Sequence, residues 1–122
     1  RRDTGSFAAF GPQGFGLTNA ALDRYMAAYA PSLASSRDPR LYPLYADLHG
    51  LPPVLSIAGG CDPLLDDSIE MHAAMHAAGV ASDLVVVPGV LHGNLAYWRM
   101  LDAARDAFAR TGRFVRSLLT ST

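Results

Sequence analysis

The sequence has little cysteine, little charge and no long apolar run, and each shortage excludes a class of protein. Cys61 is the single cysteine among 122 residues, so no internal disulfide can form and nothing demands an oxidising compartment. Charged residues make up 17% of the chain and its net charge is −1, without the basic clusters that bind nucleic acid or anionic membranes. No apolar stretch approaches the roughly 20 residues of a membrane-spanning helix. We therefore expect a cytoplasmic protein with no nucleic-acid partner and no membrane span.

What the sequence does contain is a pattern of strands and helices. Half of its residues are apolar, which is typical of a globular protein. Residues 54–58 and 82–87 are short, apolar and rich in β-branched side chains, as buried parallel strands are. Helical periodicity covers residues 66–78 between them and residues 95–119 after them. This order predicts an α/β fold, and because two strands are too few for a complete sheet, we expect part of a larger doubly wound, mostly parallel sheet.

Weaker signals describe the rest of the chain. The glycine-rich residues 1–16 predict a loop, and residues 20–29 a helix capped by Thr18 or Asn19. A polar connector over 32–40 leads into an extended segment over 41–45.

Three positions mark ends or weak points of the later helices. Asp67 and Glu70 have the spacing of a capping box at the start of the helix over 66–78. Gly79 is a suitable stop for the same helix. Gly112 is a weak point in the terminal helix.

Each predicted strand is followed by a loop with a chemically capable side chain, Asp62 after the first and His92 after the second. Open α/β sheets place functional residues at the carboxyl ends of their strands, which lie side by side in a parallel βαβ unit. An aspartate that accepts from one imidazole nitrogen leaves the other as a general base. Asp62 and His92 are therefore the predicted catalytic residues, although a turn-capping aspartate and an ordinary loop histidine would also explain them.

Three other residues invite chemical interpretations that we do not favour. A thiol nucleophile at Cys61 lacks a nucleophile-elbow pattern, and buried, inert cysteines are far commoner. His72 and His76 have the i, i+4 spacing of a zinc-binding helix, but the glutamate of H-E-x-x-H is absent and no third ligand is evident. We expect no metal and no organic cofactor.

Four blocks of sequence stand in order at characteristic spacing. They are PLYADLHGLPP at 43–53, DPLLDD at 62–67, AAGV at 77–80 and PGVLHG at 88–93. Together they resemble the carboxyl-terminal part of the hormone-sensitive-lipase-like branch of the α/β-hydrolases. The resemblance implies that Asp62 is the acid and His92 the base of a catalytic triad in a carboxylesterase or lipase-like enzyme.

The resemblance also implies what this chain does not contain. The family's nucleophilic serine lies in a G-x-S-x-G elbow, with an HGGG-type oxyanion loop further upstream. Neither motif occurs here, and Ser6 lacks the elbow's flanking glycines. We expect residues 41–122 to be the carboxyl-terminal hydrolase segment, residues 1–40 to lead into it, and the chain alone to be inactive. Two positions depart from the family pattern: Asn94 stands where phenylalanine is frequent, and Asp67 where glutamate is.

The expected partners are a small-molecule ester, the missing amino-terminal half of the same fold and, in a homo-oligomer, another copy of the chain. Two alternatives belong to other classes. A non-catalytic receptor or interaction module would keep the scaffold without needing Asp62 and His92. A complete flavodoxin-like domain would bind a ligand at its strand ends, but neither strand is followed by a glycine-rich phosphate loop.

Overall fold

The order of strands and helices agrees with the sequence pattern in the computed structural model, which describes residues 3–13, 16–32 and 37–120. The elements are α1 (Gly5–Phe10), α2 (Asn19–Tyr29), β1 (Val54–Gly59), α3 (Leu65–Ala77), β2 (Ser82–Val87) and α4 (Asp102–Thr120), with short 3₁₀ helices at Gly11–Gln13, Pro43–Tyr45 and Asn94–Tyr97. Parts of the predicted first loop, residues 1–2 and 14–15, and of the polar connector, residues 33–36, lie outside the described residues. No helix in the described ranges is both long and apolar enough to cross a lipid bilayer.

Strands β1 and β2 pair in parallel, as predicted. The register runs from Val54 opposite Ser82 to Gly59 opposite Val87. Pairing begins at Val54 because the two preceding residues are prolines, which have no N–H to donate to a ladder. Both carboxyl ends therefore finish level with each other at one edge of the sheet.

Helices cover the two faces of this pair. Ser56 lines a cavity together with Met71 of α3, whereas Leu55 and Val85 line one together with Phe114 of α4. Successive residues of a strand point to opposite faces, so α3 and α4 lie on opposite sides. This is the layered arrangement that a doubly wound sheet requires.

A small buried core lies on the α3 side. Met75 is almost fully buried and packs with Leu48 and Val80. Gly79 has φ of 75°, a left-handed conformation in which glycine carries no steric penalty. It ends α3, as predicted, and turns the chain into β2.

Two predictions for the first half of the chain are wrong. The glycine-rich start contains α1, because Thr4 caps it by accepting from Phe7 N at 3.2 Å and no helix-breaking residue follows before Gly11. Residues 41–45 are not extended, since Pro43 begins a 3₁₀ turn. The predicted α2 is confirmed, with Thr18 as its N-cap.

Two predictions for the later helices also fail. The terminal helix does not run from residue 95, because Asn94–Tyr97 form a separate 3₁₀ helix and α4 starts only at Asp102. Gly112 lies inside α4, and that it weakens this helix stays a prediction. The capping box at Asp67 is absent, because α3 already begins at Leu65 and its N-cap residue makes no side-chain bond.

Candidate active site

Asp62 and His92 meet at the carboxyl edge of the sheet, as the parallel pairing predicts. His92 Nδ1 lies 2.7 Å from Asp62 Oδ2. The Asp62 side chain is 7% exposed and that of His92 is 44% exposed. The carboxylate is thus shielded from water while the imidazole remains accessible to another molecule or another part of a protein.

The Asp62 carboxylate is held at both oxygens. Oδ1 accepts from Leu64 N at 2.8 Å, and Oδ2 is the oxygen that contacts His92 Nδ1. The backbone carbonyl of Asp62 also accepts, from Leu65 N at 3.1 Å. A carboxylate only accepts hydrogen bonds, so the proton in the contact with His92 belongs on Nδ1. Nε2 is then the imidazole nitrogen left for chemistry.

The two loops that carry these side chains are joined to each other by backbone hydrogen bonds. Gly60 N donates to Val87 O at 2.7 Å, and Cys61 N donates to Val90 O at 3.0 Å. These bonds extend the ladder of the sheet past the ends of both strands. Cys61 therefore serves this site through its backbone.

Two consecutive glycines allow the His92 loop to lie directly over the end of β1. A Cβ atom on Gly59 would lie 2.6 Å from the carbonyl oxygens of both Val90 and Leu91, and one on Gly60 would lie 3.1 Å from Val87 O. Backbone atoms cannot yield as a flexible side chain does, so a larger residue at Gly59 would displace the loop. The sequence prediction missed this role, although a Gly-Gly pair directly after a strand is a signal of close backbone approach.

The segment after His92 folds back over its own loop. Gly93 has φ of 71°, and Asn94 is 4% exposed, with Nδ2 donating to Leu91 O at a long 3.4 Å. Its Oδ1 is buried and has no hydrogen-bond partner among residues 3–13, 16–32 and 37–120. Asn94, one of the two positions that depart from the family pattern, is thus a buried amide close to His92 in the chain.

The remaining sequence candidates take structural places. His72 Nδ1 lies 2.8 Å from Ser82 Oγ and joins α3 to the start of β2, while His76 is exposed. Within the described part of the chain, no three His, Cys, Asp or Glu side chains are grouped to hold a metal. Ser6 lies in α1 rather than on a strand-to-helix turn, and it is buried.

Two carboxyl groups before β1 have lowered pKa values. Hydrogen bonds from the Arg40 side chain and backbone lower the pKa of Asp38 to about 2. The pKa of Asp47 is lowered by hydrogen bonds from His49, whose Nδ1 lies 2.7 Å away. Both pairs belong to the segment that leads into the sheet and not to the Asp62–His92 site.

Comparison with known proteins gives an α/β hydrolase family match and esterase relatives. The family described as the α/β hydrolase fold matches residues 2–96. Acetyl esterases from Salmonella paratyphi B and Salmonella enteritidis are 35% identical over 118 residues and 33% identical over 114 residues. Each alignment covers 93% of this chain but 35% of the relative, so the chain spans about a third of the length of these relatives.

Solved structures of esterases superpose on most of this chain. EstE1, a thermophilic carboxylesterase cloned from a metagenomic library, superposes with a TM-score of 0.82 at 30% identity, over 93% of this chain and 39% of its own. A hyperthermophilic esterase from the archaeon Pyrobaculum calidifontis gives a TM-score of 0.88 at 26% identity, over 95% and 37%.

Proposed function

Because this chain belongs to the α/β hydrolase fold family, we propose that it supplies the acid and the base of a serine carboxylesterase. Asp62 is the acid and His92 the general base. The observation that carries the proposal is the 2.7 Å contact between His92 Nδ1 and the buried Asp62 carboxylate. A pair with this geometry fixes the imidazole tautomer and stabilises the imidazolium that forms during the reaction.

The proposed reaction is hydrolysis of a carboxylic ester in two stages. His92 Nε2 takes the proton of a serine hydroxyl as the serine oxygen attacks the ester carbonyl, and then gives that proton to the departing alcohol. In the second stage Nε2 takes a proton from water as the water oxygen attacks the acyl-enzyme carbonyl, and it then gives that proton to the serine oxygen as the bond to the acyl group breaks and the acid is released. Asp62 stays ionised throughout.

The serine and the oxyanion hole belong, in this proposal, to sequence outside the 122 residues. Support comes from the missing G-x-S-x-G and HGGG patterns and from the relatives' length, of which this chain covers 35%. The exposed side of His92 is where such a serine would approach. The 122-residue chain alone should therefore not hydrolyse esters.

The proposal is tested by labelling the full-length protein with a fluorophosphonate, which reacts with activated serines, and by assaying p-nitrophenyl acetate hydrolysis. Acetyl esters suit the first assay because the Salmonella relatives are acetyl esterases. We expect His92→Ala to abolish labelling and to lower kcat by about 10⁴-fold or more. His76→Ala removes an exposed histidine from α3 and should change neither result.

A full-length protein that neither labels nor hydrolyses esters would contradict the proposal. In that case the non-catalytic interaction module becomes the better interpretation, and a substituted elbow serine in the full sequence would support it. Labelling that survives His92→Ala would contradict the assignment of the base alone. The flavodoxin-like alternative is set aside by the family match and by the esterase folds on which this chain superposes.

A further inference from the structure

Helix α1 is tied to the loop of Asp62 through one buried side chain, Ser6. Ser6 is 5% exposed and makes three hydrogen bonds to residues about 60 positions away. Its Oγ donates to Pro63 O at 3.0 Å and accepts from Asp66 N at 3.1 Å, while its own N–H donates to Asp66 Oδ2 at 2.8 Å. Both the hydroxyl and the backbone N–H of Ser6 therefore bind the same short segment, residues 63–66.

This arrangement is a helix cap supplied from elsewhere in the chain. The first N–H groups of a helix have no acceptor inside the helix, and Leu64, at the N-cap position of α3, offers no side-chain oxygen. Ser6 Oγ is the acceptor for Asp66 N, and the Asp66 carboxylate accepts in return from Ser6 N. The exchange is the reciprocal pattern of a capping box, made between two helices.

The capped segment is also the one that orients the catalytic acid. Asp62 Oδ1 accepts from Leu64 N, so the direction of the carboxylate depends on the turn from 62 to 64. Ser6 holds this turn through Pro63 O, inside it, and Asp66 N, just beyond it. It touches neither Asp62 nor His92 in any of these bonds.

We propose that Ser6 is a positioning residue for the Asp62–His92 pair, holding the Asp62 turn so that the carboxylate stays within hydrogen-bond reach of the imidazole. The inference rests on the proposed esterase function for its kinetic consequence but not for its structural one. Thr4 supports the same arrangement, because it caps α1 and its Oγ1 lies 3.4 Å from Ser6 Oγ.

The test compares Ser6→Ala with wild type in the full-length protein, using kinetics and NMR. We expect kcat to fall about 10-fold with KM unchanged, below the roughly 100-fold that a 1 Å misplacement costs. The proton resonance of His92 Nδ1–H should broaden and move upfield as the contact with Asp62 lengthens. Ser6→Thr, which keeps the hydroxyl, should restore both readouts, and Ser117→Ala, which removes an exposed hydroxyl of α4, should alter neither.

Each outcome decides the question. A lower melting temperature with an unchanged kcat and an unchanged His92 resonance would show that Ser6 only stabilises the fold, and the proposal would be overturned. If the wild type proves to have no esterase activity, the proposed function fails, and the His92 resonance still decides whether Ser6 sets the Asp62 contact. If Ser6→Ala does not fold, the nearly isosteric Ser6→Cys, a weak hydrogen-bond donor, takes its place with the same expectations.

Discussion

The contact between Asp62 and His92 depends on residues that carry no functional group. Gly59 leaves room for the carbonyls of Val90 and Leu91, and Gly60 joins the ladder to β2. His92 reaches Asp62 because the His92 loop lies against glycine backbone that has no side chain. An added methyl group at Gly59 would therefore disturb the geometry of the site.

We predict that Gly59→Ala lowers both activity and stability. The new Cβ would meet two carbonyl oxygens at 2.6 Å, and relieving that overlap should cost about 1–3 kcal/mol and shift the His92 loop. Activity of the full-length protein should fall by about 100-fold.

Gly112→Ala is the matched control for this prediction. Its Cβ would meet nothing within 4 Å, and α4 should gain about 0.5–1 kcal/mol with activity unchanged. Thermal unfolding and kcat/KM separate the two substitutions. A fully active Gly59→Ala variant would mean that the loop does not rest on Gly59.

We predict that Asp62→Asn abolishes most activity with little loss of stability. The amide oxygen can still accept from Leu64 N, so the turn should survive, but the amide cannot stabilise the imidazolium. By analogy with triads of known mechanism, kcat should fall about 10⁴-fold. Asp106→Asn, at an exposed position on α4, should keep wild-type activity. Near-normal turnover by Asp62→Asn would reassign the acid.

The sequence predicted that Asp62 and His92 lie close together, because each follows a strand and the carboxyl ends of parallel strands lie side by side. It did not reach Ser6 or Gly59, whose roles exist only when segments far apart in the chain come together. The sequence around a serine in a glycine-rich stretch, or around a glycine after a strand, does not reveal whether a distant segment packs against that residue. Tertiary contact is what distinguishes these residues.

At the scale of elements, prediction succeeded where a strand or helix ends at a local signal such as proline, glycine or a capping threonine. Strand β1 begins after two prolines and ends at a glycine pair, and β2 ends at Val87, just before Pro88. Such residues stop a ladder wherever they occur. Helix α2 is likewise marked by a capping threonine, and the structure agrees with each of these assignments.

Prediction failed where a helix end is decided by tertiary contacts. Helix α3 starts at Leu65 with its cap supplied by Ser6 from α1, so the local capping-box spacing at Asp67 misled. The terminal helix has continuous apolar periodicity, yet the chain turns at Tyr97 before α4 begins. Periodicity reports which face is apolar but not where the backbone stays helical.

At the scale of the whole molecule, the chain has apolar surface that it does not cover itself. The resemblance to hormone-sensitive-lipase-like α/β-hydrolases and the predicted α/β class are confirmed by the family match and the esterase folds. The described residues form a sheet of two strands. Phe108 of α4 is 54% exposed, and Leu101 and Val115 are exposed as well.

We predict that the isolated 122-residue chain self-associates. Unpaired strand edges and a contiguous apolar helix face are surfaces on which proteins pair or aggregate. Size-exclusion chromatography with light scattering should give a mass above the 13.0 kDa of one chain. Val115→Glu should weaken the association, whereas Ser117→Glu, on the other side of α4, should leave it unchanged. A 13.0 kDa monomer that melts cooperatively would contradict this prediction.

The hydrogen bonds from Gly60 to Val87 and from Cys61 to Val90 carry one further consequence. Asp62 and His92 lie at the same end of one ladder of hydrogen bonds, so we expect opening of that end to separate them before the rest of the fold is lost. Heat inactivation should then be an early and local event. The rate of heat inactivation would then report how often these two hydrogen bonds open, and not how fast the whole molecule unfolds.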